Sequence, residues 1–328
     1  PGLHIPSAGE SETILNQDVV NCPRCARRTA AARGACIYCG ETLPITRIEA
    51  APPQRKIDSF EHAFNTILEP VLSPTDESAE AAVAAALGID LAEARAYVAA
   101  GKRVPLARSQ NRQEAAMIAG LVRDCGFKAV VIPDEDFMLE RELLRARRIV
   151  AREDGMQVDL PGGAMALPSS EIKLLVVGAL KNNRVDYTEG VAGMRGQSGN
   201  VLDSSEFSSD ETLIDVYTAS LDRSFRIRSG AFDYSGLVSP LSFRAEVNFK
   251  AAVAKLREIA HRATFDDDFG KVSHLLARAW PARSRNEARG IKRKGLAYRP
   301  VAQASLITDN RDQFERYSRL MFVSTIRR

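Results

Sequence analysis

Two textures of hydrophobic and polar positions divide this chain. From about Thr75 to Pro133 the apolar residues keep a helical period, broken by glycines, and from Arg147 to Leu237 they alternate with polar neighbours. The first texture predicts helices and the second short strands. Thr75-Asp-Glu-Ser78 opens an alanine-rich helix to Leu87, and Gly88-Ile-Asp90 breaks it. Asp90 caps a second helix, Leu91–Ala100, which Gly101 closes. A third helix, Gln113–Cys125, ends at Gly126, and Phe127–Ile132 reads as a strand. Upstream, Phe60, Phe64, Ile67 and Leu68 fall on one side of a short amphipathic helix over Ser59–Leu68, ended by Pro70 and Pro74.

In the alternating region the strand candidates are Ile149–Ala151, Met156–Leu160, Ile172–Val177, Val185–Tyr187, Leu213–Tyr217 and Phe225–Arg228. Turn residues separate them, including Asp154-Gly155, Pro161-Gly-Gly163 and Lys181-Asn-Asn183. Residues 190–210, rich in Gly, Ser and Asp, read as a long polar loop. An amphipathic helix follows over Phe243–His261, with Phe249, Val253, Leu256 and Ala260 on its apolar stripe. A further helix, Phe269–Trp280, follows the acidic run Asp266–Asp268, and Asp312–Ile326 is a terminal amphipathic helix.

These elements predict a multidomain α+β chain. The expected parts are a leader (1–20), a cysteine module (21–46), a linker with a short helix (47–74), a small α/β module (75–135), a β-rich domain closed by a helix (145–263), a helix (264–281) and a basic tail (282–328).

The cysteine module carries the strongest chemical signal. Cys22-Pro-Arg-Cys25 and Cys36-Ile-Tyr-Cys39 are two C-x-x-C pairs ten residues apart. Each pair forms a turn that sets two thiolates about 2.3 Å from one ion, so four sulfurs can enclose a structural Zn2+. Such a site has no open position for water or substrate, which excludes Lewis-acid catalysis by that ion. Gly40 after Cys39 suits the turn, and Ala26 occupies the corresponding place after Cys25. Arg24, Arg27, Arg28 and Arg33 make the module basic, with no acid between Cys22 and Cys39. They can offset the net charge of a zinc tetrathiolate, bind an acidic protein surface or contact phosphates.

The central segment resembles the C-terminal domain of the bacterial ribosomal stalk protein. The matching residues are Leu87-Gly-Ile-Asp-Leu-Ala-Glu-Ala-Arg95, Val98, the loop around Pro105, Glu114-Ala115 and Cys125-Gly-Phe-Lys-Ala-Val130. In that family a basic face of paired helices contacts translation GTPases. Here the aligned helices are rich in alanine and carry fewer lysines. The resemblance therefore implies the fold, with a protein-binding role as its general consequence. The β-rich segment, by element order alone, looks like the pleckstrin-homology-like architecture, a scaffold that hosts many binding roles.

A second basic cluster lies in the tail, where Arg283, Arg285, Arg289, Lys292, Arg293, Lys294 and Arg299 face only Glu287. RNA, an anionic membrane surface and a solvated linker are the readings it leaves open. Over the whole chain 45 basic residues nearly balance 42 acidic ones, so no general polyanion partner is implied. Cys125 reads as a small, half-buried residue. The cysteine usage is not a disulfide framework, no apolar signal segment opens the chain, and Ile172–Leu180 falls short of the ~20 residues a span requires. These features predict a cytoplasmic protein.

Catalysis finds no support in the sequence. His4, His62, His261 and His274 are scattered, and Asp203, Glu206, Asp210 and Glu211 read as a solvated acidic loop. The expected function is a non-enzymatic adaptor or accessory subunit of a larger assembly. A nucleic-acid- or ribosome-associated factor is the alternative.

Overall fold

The computed structural model describes residues 19–30, 38–39, 41, 57, 61–71, 77–190, 201–294 and 299–326. The chain divides into two compact units, residues 1–49 and 50–328. In the first, β1 (Val19–Asn21) pairs antiparallel with β2 (Arg28–Ala30) and frames the first cysteine turn.

The second unit begins with a strand where the apolar spacing predicts a helix. Residues Phe64–Leu68 form β3, followed by α1 (Glu77–Leu87), α2 (Leu91–Ala99), β4 (Val104–Ser109), α3 (Arg112–Asp124) and β5 (Ala129–Pro133). The sheet order is β4–β3–β5, all antiparallel, so the mispredicted segment is the central strand. Four of its five residues are buried, Asn65 and Thr66 among them, because a central strand needs both faces covered. Asn65 is satisfied there: its amide donates to the Ile132 carbonyl and to Asp134, and its carbonyl accepts from Trp280 Nε1 at 2.8 Å. The helix starts follow local chemistry. Asp90 accepts from the Glu93 amide at 2.7 Å, and Asn111 accepts from the Glu114 amide at 2.8 Å.

The large sheet follows. A short β6 (Leu144–Arg145) precedes the meander β7 (Arg148–Arg152), β8 (Gly155–Leu160) and β9 (Gly163–Pro168). Then come β10 (Leu174–Gly190), β11 (Val201–Tyr217), β12 (Phe225–Arg228), α4 (Ala245–Ile259), β13 (Thr264–Asp266) and α5 (Phe269–Leu276). The last elements are β14 (Arg283–Lys294), β15 (Arg299–Asp309) and α6 (Arg311–Ile326). The path through the large sheet is β14–β15–β10–β11–β12–β6, with β13 beside β10.

Two cores lie on opposite faces of this sheet, and strand periodicity assigns residues to them. Leu174 and Val176 with Leu213 and Tyr217 face the core shared with α5, α6 and the small sheet, whereas Leu175, Ile214 and Val216 face the core shared with the meander and α4. Phe225 and Ile227 join the latter, leaving Arg226 and Arg228 on the α6 side. Helix α6 sits close against β10 because Gly178 has no Cβ: an added one would overlap the Phe314 ring. Tyr97 of α2 donates to the Leu275 carbonyl at 2.8 Å, tying the small module to α5.

Three further differences from the sequence reading concern β10, β11 and the basic tail. Lys181-Asn-Asn183 is not a turn but the middle of a 17-residue strand. Residues 201–210 are strand rather than loop, while 191–200 lie outside the described residues. The basic run from Arg283 is strand β14, hydrogen-bonded to β15 from Arg283 through Lys294. Beyond Leu180 the four strands β14–β15–β10–β11 continue as an arm in which residues 203–210 of β11 and 283–288 of β14 are exposed, Phe207 at 57%, while Thr188 of β10 and Ser305 and Ile307 of β15 are buried between them. No helix among the described residues is long and apolar enough to cross a membrane.

Candidate metal centre

The end of β1 delivers Cys22, and the next five residues fold back into β2. Cys22 N–H donates to the Arg27 carbonyl at 3.0 Å, and Ala26 N–H donates to the Cys22 carbonyl at 2.9 Å. This turn requires a left-handed residue, and Ala26 supplies it at φ 58°, where glycine would be unstrained. The alanine that departs from the glycine pattern therefore adopts the glycine conformation.

The turn brings sulfurs together. The Sγ atoms of Cys22, Cys25 and Cys39 all lie within 4.8 Å of one another, and Cys22 and Cys39 are 3.5 Å apart. A tetrahedral centre with bonds of about 2.3 Å has sulfur–sulfur edges of about 3.8 Å, so the cluster has the dimensions of a thiolate metal site. No disulfide joins the described cysteines. Cys22 is buried, and Cys25 and Cys39 are partly so. Burial works against a Cys22 thiolate, but the backbone amides of Cys25 and Arg24 and the Cys39 and Cys25 thiols outweigh it. Its pKa is brought down to about 7. Amide donors aimed at sulfur are what a metal-bound thiolate uses. Three soft donors at these spacings fit a metal ion, and Cys36, the fourth residue of the pattern, lies outside the described residues.

The surrounding cations are engaged within the unit. Arg24 pairs with Glu41 at 3.6 Å, an acid just beyond the cysteines. The Arg27 guanidinium lies over the Tyr38 ring, 5.0 Å from its centre. Neither partner was singled out from sequence, although Tyr38 stands inside the second C-x-x-C pair. The Arg28 side chain, Arg33 and Gly40 lie outside the described residues, as do His4 and the leader through residue 18.

The remaining candidates fall on the second unit. Arg289 sits where the β14–β15 register slips between Ala288 and Gly290, and Lys292, Arg293 and Lys294 pair in register with Val301, Pro300 and Arg299. Asp203, Glu206 and Asp210 are exposed on β11, while Glu211 forms a two-point ion pair with Arg228 at 2.6 and 2.8 Å. Cys125 is partly buried after α3, and burial pushes its thiol pKa up, with Asp124 adding to the effect. His62 precedes β3, His261 lies in the turn after α4 and His274 lies on α5; all three are exposed. No family model matches the chain, and comparison with curated proteins and with solved structures finds no similar protein.

Proposed function

We propose that this chain is a non-enzymatic, cytoplasmic adaptor or accessory subunit, with a structural Zn2+ held by Cys22, Cys25, Cys36 and Cys39. Its work is protein–protein contact. The observation that carries this reading is the four-stranded arm. Strand β14 forms one open edge and the outer part of β11 the other, and an open edge is a template for pairing with another chain. The edges differ in charge. Arg283, Arg285, Arg289, Lys292, Arg293 and Lys294 lie along β14, and Asp203, Glu206 and Asp210 lie along β11. Such a pair of edges selects partners by complementarity as well as by backbone pairing.

Two resemblances support docking modules rather than a catalytic domain. The order β3–α1–α2–β4–α3–β5 supports a likeness to the ribosomal stalk C-terminal domain. Strands β7 to β12 followed by α4 support a pleckstrin-homology-like element order. A second reading, a nucleic-acid- or ribosome-associated factor, is favoured specifically by the basic edge of β14 together with Arg24 and Arg27 of the metal unit.

Affinity capture from native extract with the full chain and with Lys292→Glu/Arg293→Glu/Lys294→Glu tests the first reading. The expected result is a defined partner lost from the variant; identical capture by both proteins refutes an arm-mediated role. Retention on RNA across a salt series decides the second, which requires affinity to fall by decades between low and moderate salt. Elemental analysis of the reduced protein should give one zinc per chain, and no bound metal overturns the assignment of the cysteines.

A further inference from the structure

On the face of the large sheet that carries α6 lies a cavity of about 240 Å3. Strand alternation sends Arg226 and Arg228 of β12 to it, and Arg311, Glu315 and Arg319 reach it from α6 at a spacing of four residues. Arg145 of β6 completes a set of five arginines, against Glu142 and Glu315 as the only lining acids.

Two of these arginines are neutralised within the protein. Arg226 grips Asp215 with Nε and Nη2 at 2.6 and 2.9 Å and reaches Glu315 with Nη1 at 3.1 Å, and Arg228 is forked on Glu211. Arg145, Arg311 and Arg319 have no carboxylate within ion-pair distance among the described residues. Arg319 is the telling member. It is 5% exposed, its Nη2 donates to the Arg141 carbonyl, and its Nη1 is buried with no hydrogen-bond partner among the described residues. The Tyr217 ring centre lies 5.9 Å from the guanidinium carbon. A buried guanidinium without an anion is costly, and a fold tolerates it where an anion completes the site.

We propose that this cavity binds a small organic anion, a carboxylate or phosphate head on a short apolar body. The head is held by Arg145, Arg311 and Arg319, since a guanidinium fork matches either oxyanion. The body rests on Leu139, Leu143, Leu180 and Leu213, which form the apolar part of the lining. The volume lies below the roughly 300–1,000 Å3 of pockets for drug-sized ligands, so the ligand is compact. The cavity shares Leu180, Arg228 and Arg311 with a neighbouring recess of about 450 Å3, which gives a longer body room to extend. None of the residues lining the cavity belongs to the cysteine unit or to β14.

Calorimetric titration of the full chain with hexanoate, hexyl phosphate and inorganic phosphate, at constant ionic strength in chloride, tests the site. One of the two hexyl compounds should bind saturably and more tightly than inorganic phosphate, and which one does so identifies the head group. Arg311→Gln and Arg145→Gln, both at exposed positions, should each weaken that binding about tenfold, the effect of losing one charge-assisted contact. Lys255→Gln on α4 should leave it unchanged. Absence of saturation for all three probes up to about 10 mM, where binding energy falls below about 3 kcal/mol, overturns the proposal. So does saturable binding that ignores both arginine substitutions, or inorganic phosphate binding as tightly as the hexyl compounds.

Discussion

Strands β10 and β11 are each a single ladder partner with two unlike halves. From Leu174↔Tyr217 to Leu180↔Glu211 the pair is sandwiched between the two cores. From Lys181↔Asp210 outward to Thr188↔Asp203 the same antiparallel register continues through an arm. Backbone hydrogen bonding does not distinguish the halves. Side-chain burial does: Leu174, Leu175, Val176, Ile214 and Val216 are at most 1% exposed, and residues 203–210 are all exposed. The inner half owes its stability to apolar area removed from water, the outer half to pairing with β15 and β14 on one side. A sheet can thus extend well past its core, provided neighbouring strands travel with it.

The same contrast holds for ion pairs. Asp134 sits 8% exposed between Arg108 at 2.6 Å and Arg316 at 2.7 Å, with the Asn65 amide at 2.8 Å. Burial works against its carboxylate, but Arg316, Arg108 and Asn65 outweigh that and hold its pKa below the usual carboxylate range. Burial also pushes the Arg316 guanidinium down, the counterpart cost of placing it there. In the arm, Arg184 and Asp186 form a comparable fork at 2.7 and 3.0 Å, where solvent reaches both. Asp186 is lowered first by Arg184 and then by the Ser305 hydroxyl.

Substitutions can break this comparison. Asp134→Ala strands two buried guanidiniums and should cost about 3–5 kcal/mol in urea unfolding, the range for a broken buried pair. Gly178→Ala forces Phe314 off β10 and should cost about 1–3 kcal/mol, as overpacking does. The pH dependence follows from the sign of the Asp134 shift. Its folded pKa lies below the unfolded value of about 3.9, so its contribution is present above that pH and is lost as pH falls through the folded value. Urea midpoints should fall below about pH 4 in the native sequence, with a shallower fall in Asp134→Asn. Phe207→Ser, at the outer half of β11, should change stability by no more than about 0.5 kcal/mol. Asp186→Asn should leave the midpoint nearly unmoved at moderate salt, because solvent reaches and screens this half-buried pair. An arm substitution as damaging as Asp134→Ala would erase the distinction.

How much of this was legible in the sequence follows the same division. The α/β module could be read because its boundaries are local chemistry: Asp90 caps a helix, and Gly88, Gly101 and Gly126 take left-handed turns. The cysteine turn was legible for the same reason. Strand β3 was not, since Phe64, Ile67 and Leu68 suit a helical stripe as well as a strand, and its register partners lie 36 to 45 residues away on β4 and 61 to 69 residues away on β5. The arm was opaque because Lys181-Asn-Asn183 and the Ser- and Asp-rich 203–210 lack an apolar face to alternate. Their strand conformation is imposed by partners, not propensity. The arginine cavity was hidden by distance along the chain. Arg226 and Arg228 at every second position and Arg311, Glu315 and Arg319 at every fourth were the available signs.

Helix α6 carries a consequence for biosynthesis. Phe314, Tyr317 and Leu320 complete the core that holds Ile67, so β3 waits for a helix translated some 250 residues later. During elongation α3 can cover β3 and β4, while the part of their core that α6 supplies stays open until that helix is made. Synthesis of α6, rather than emergence of any earlier segment, sets the moment at which this core can close.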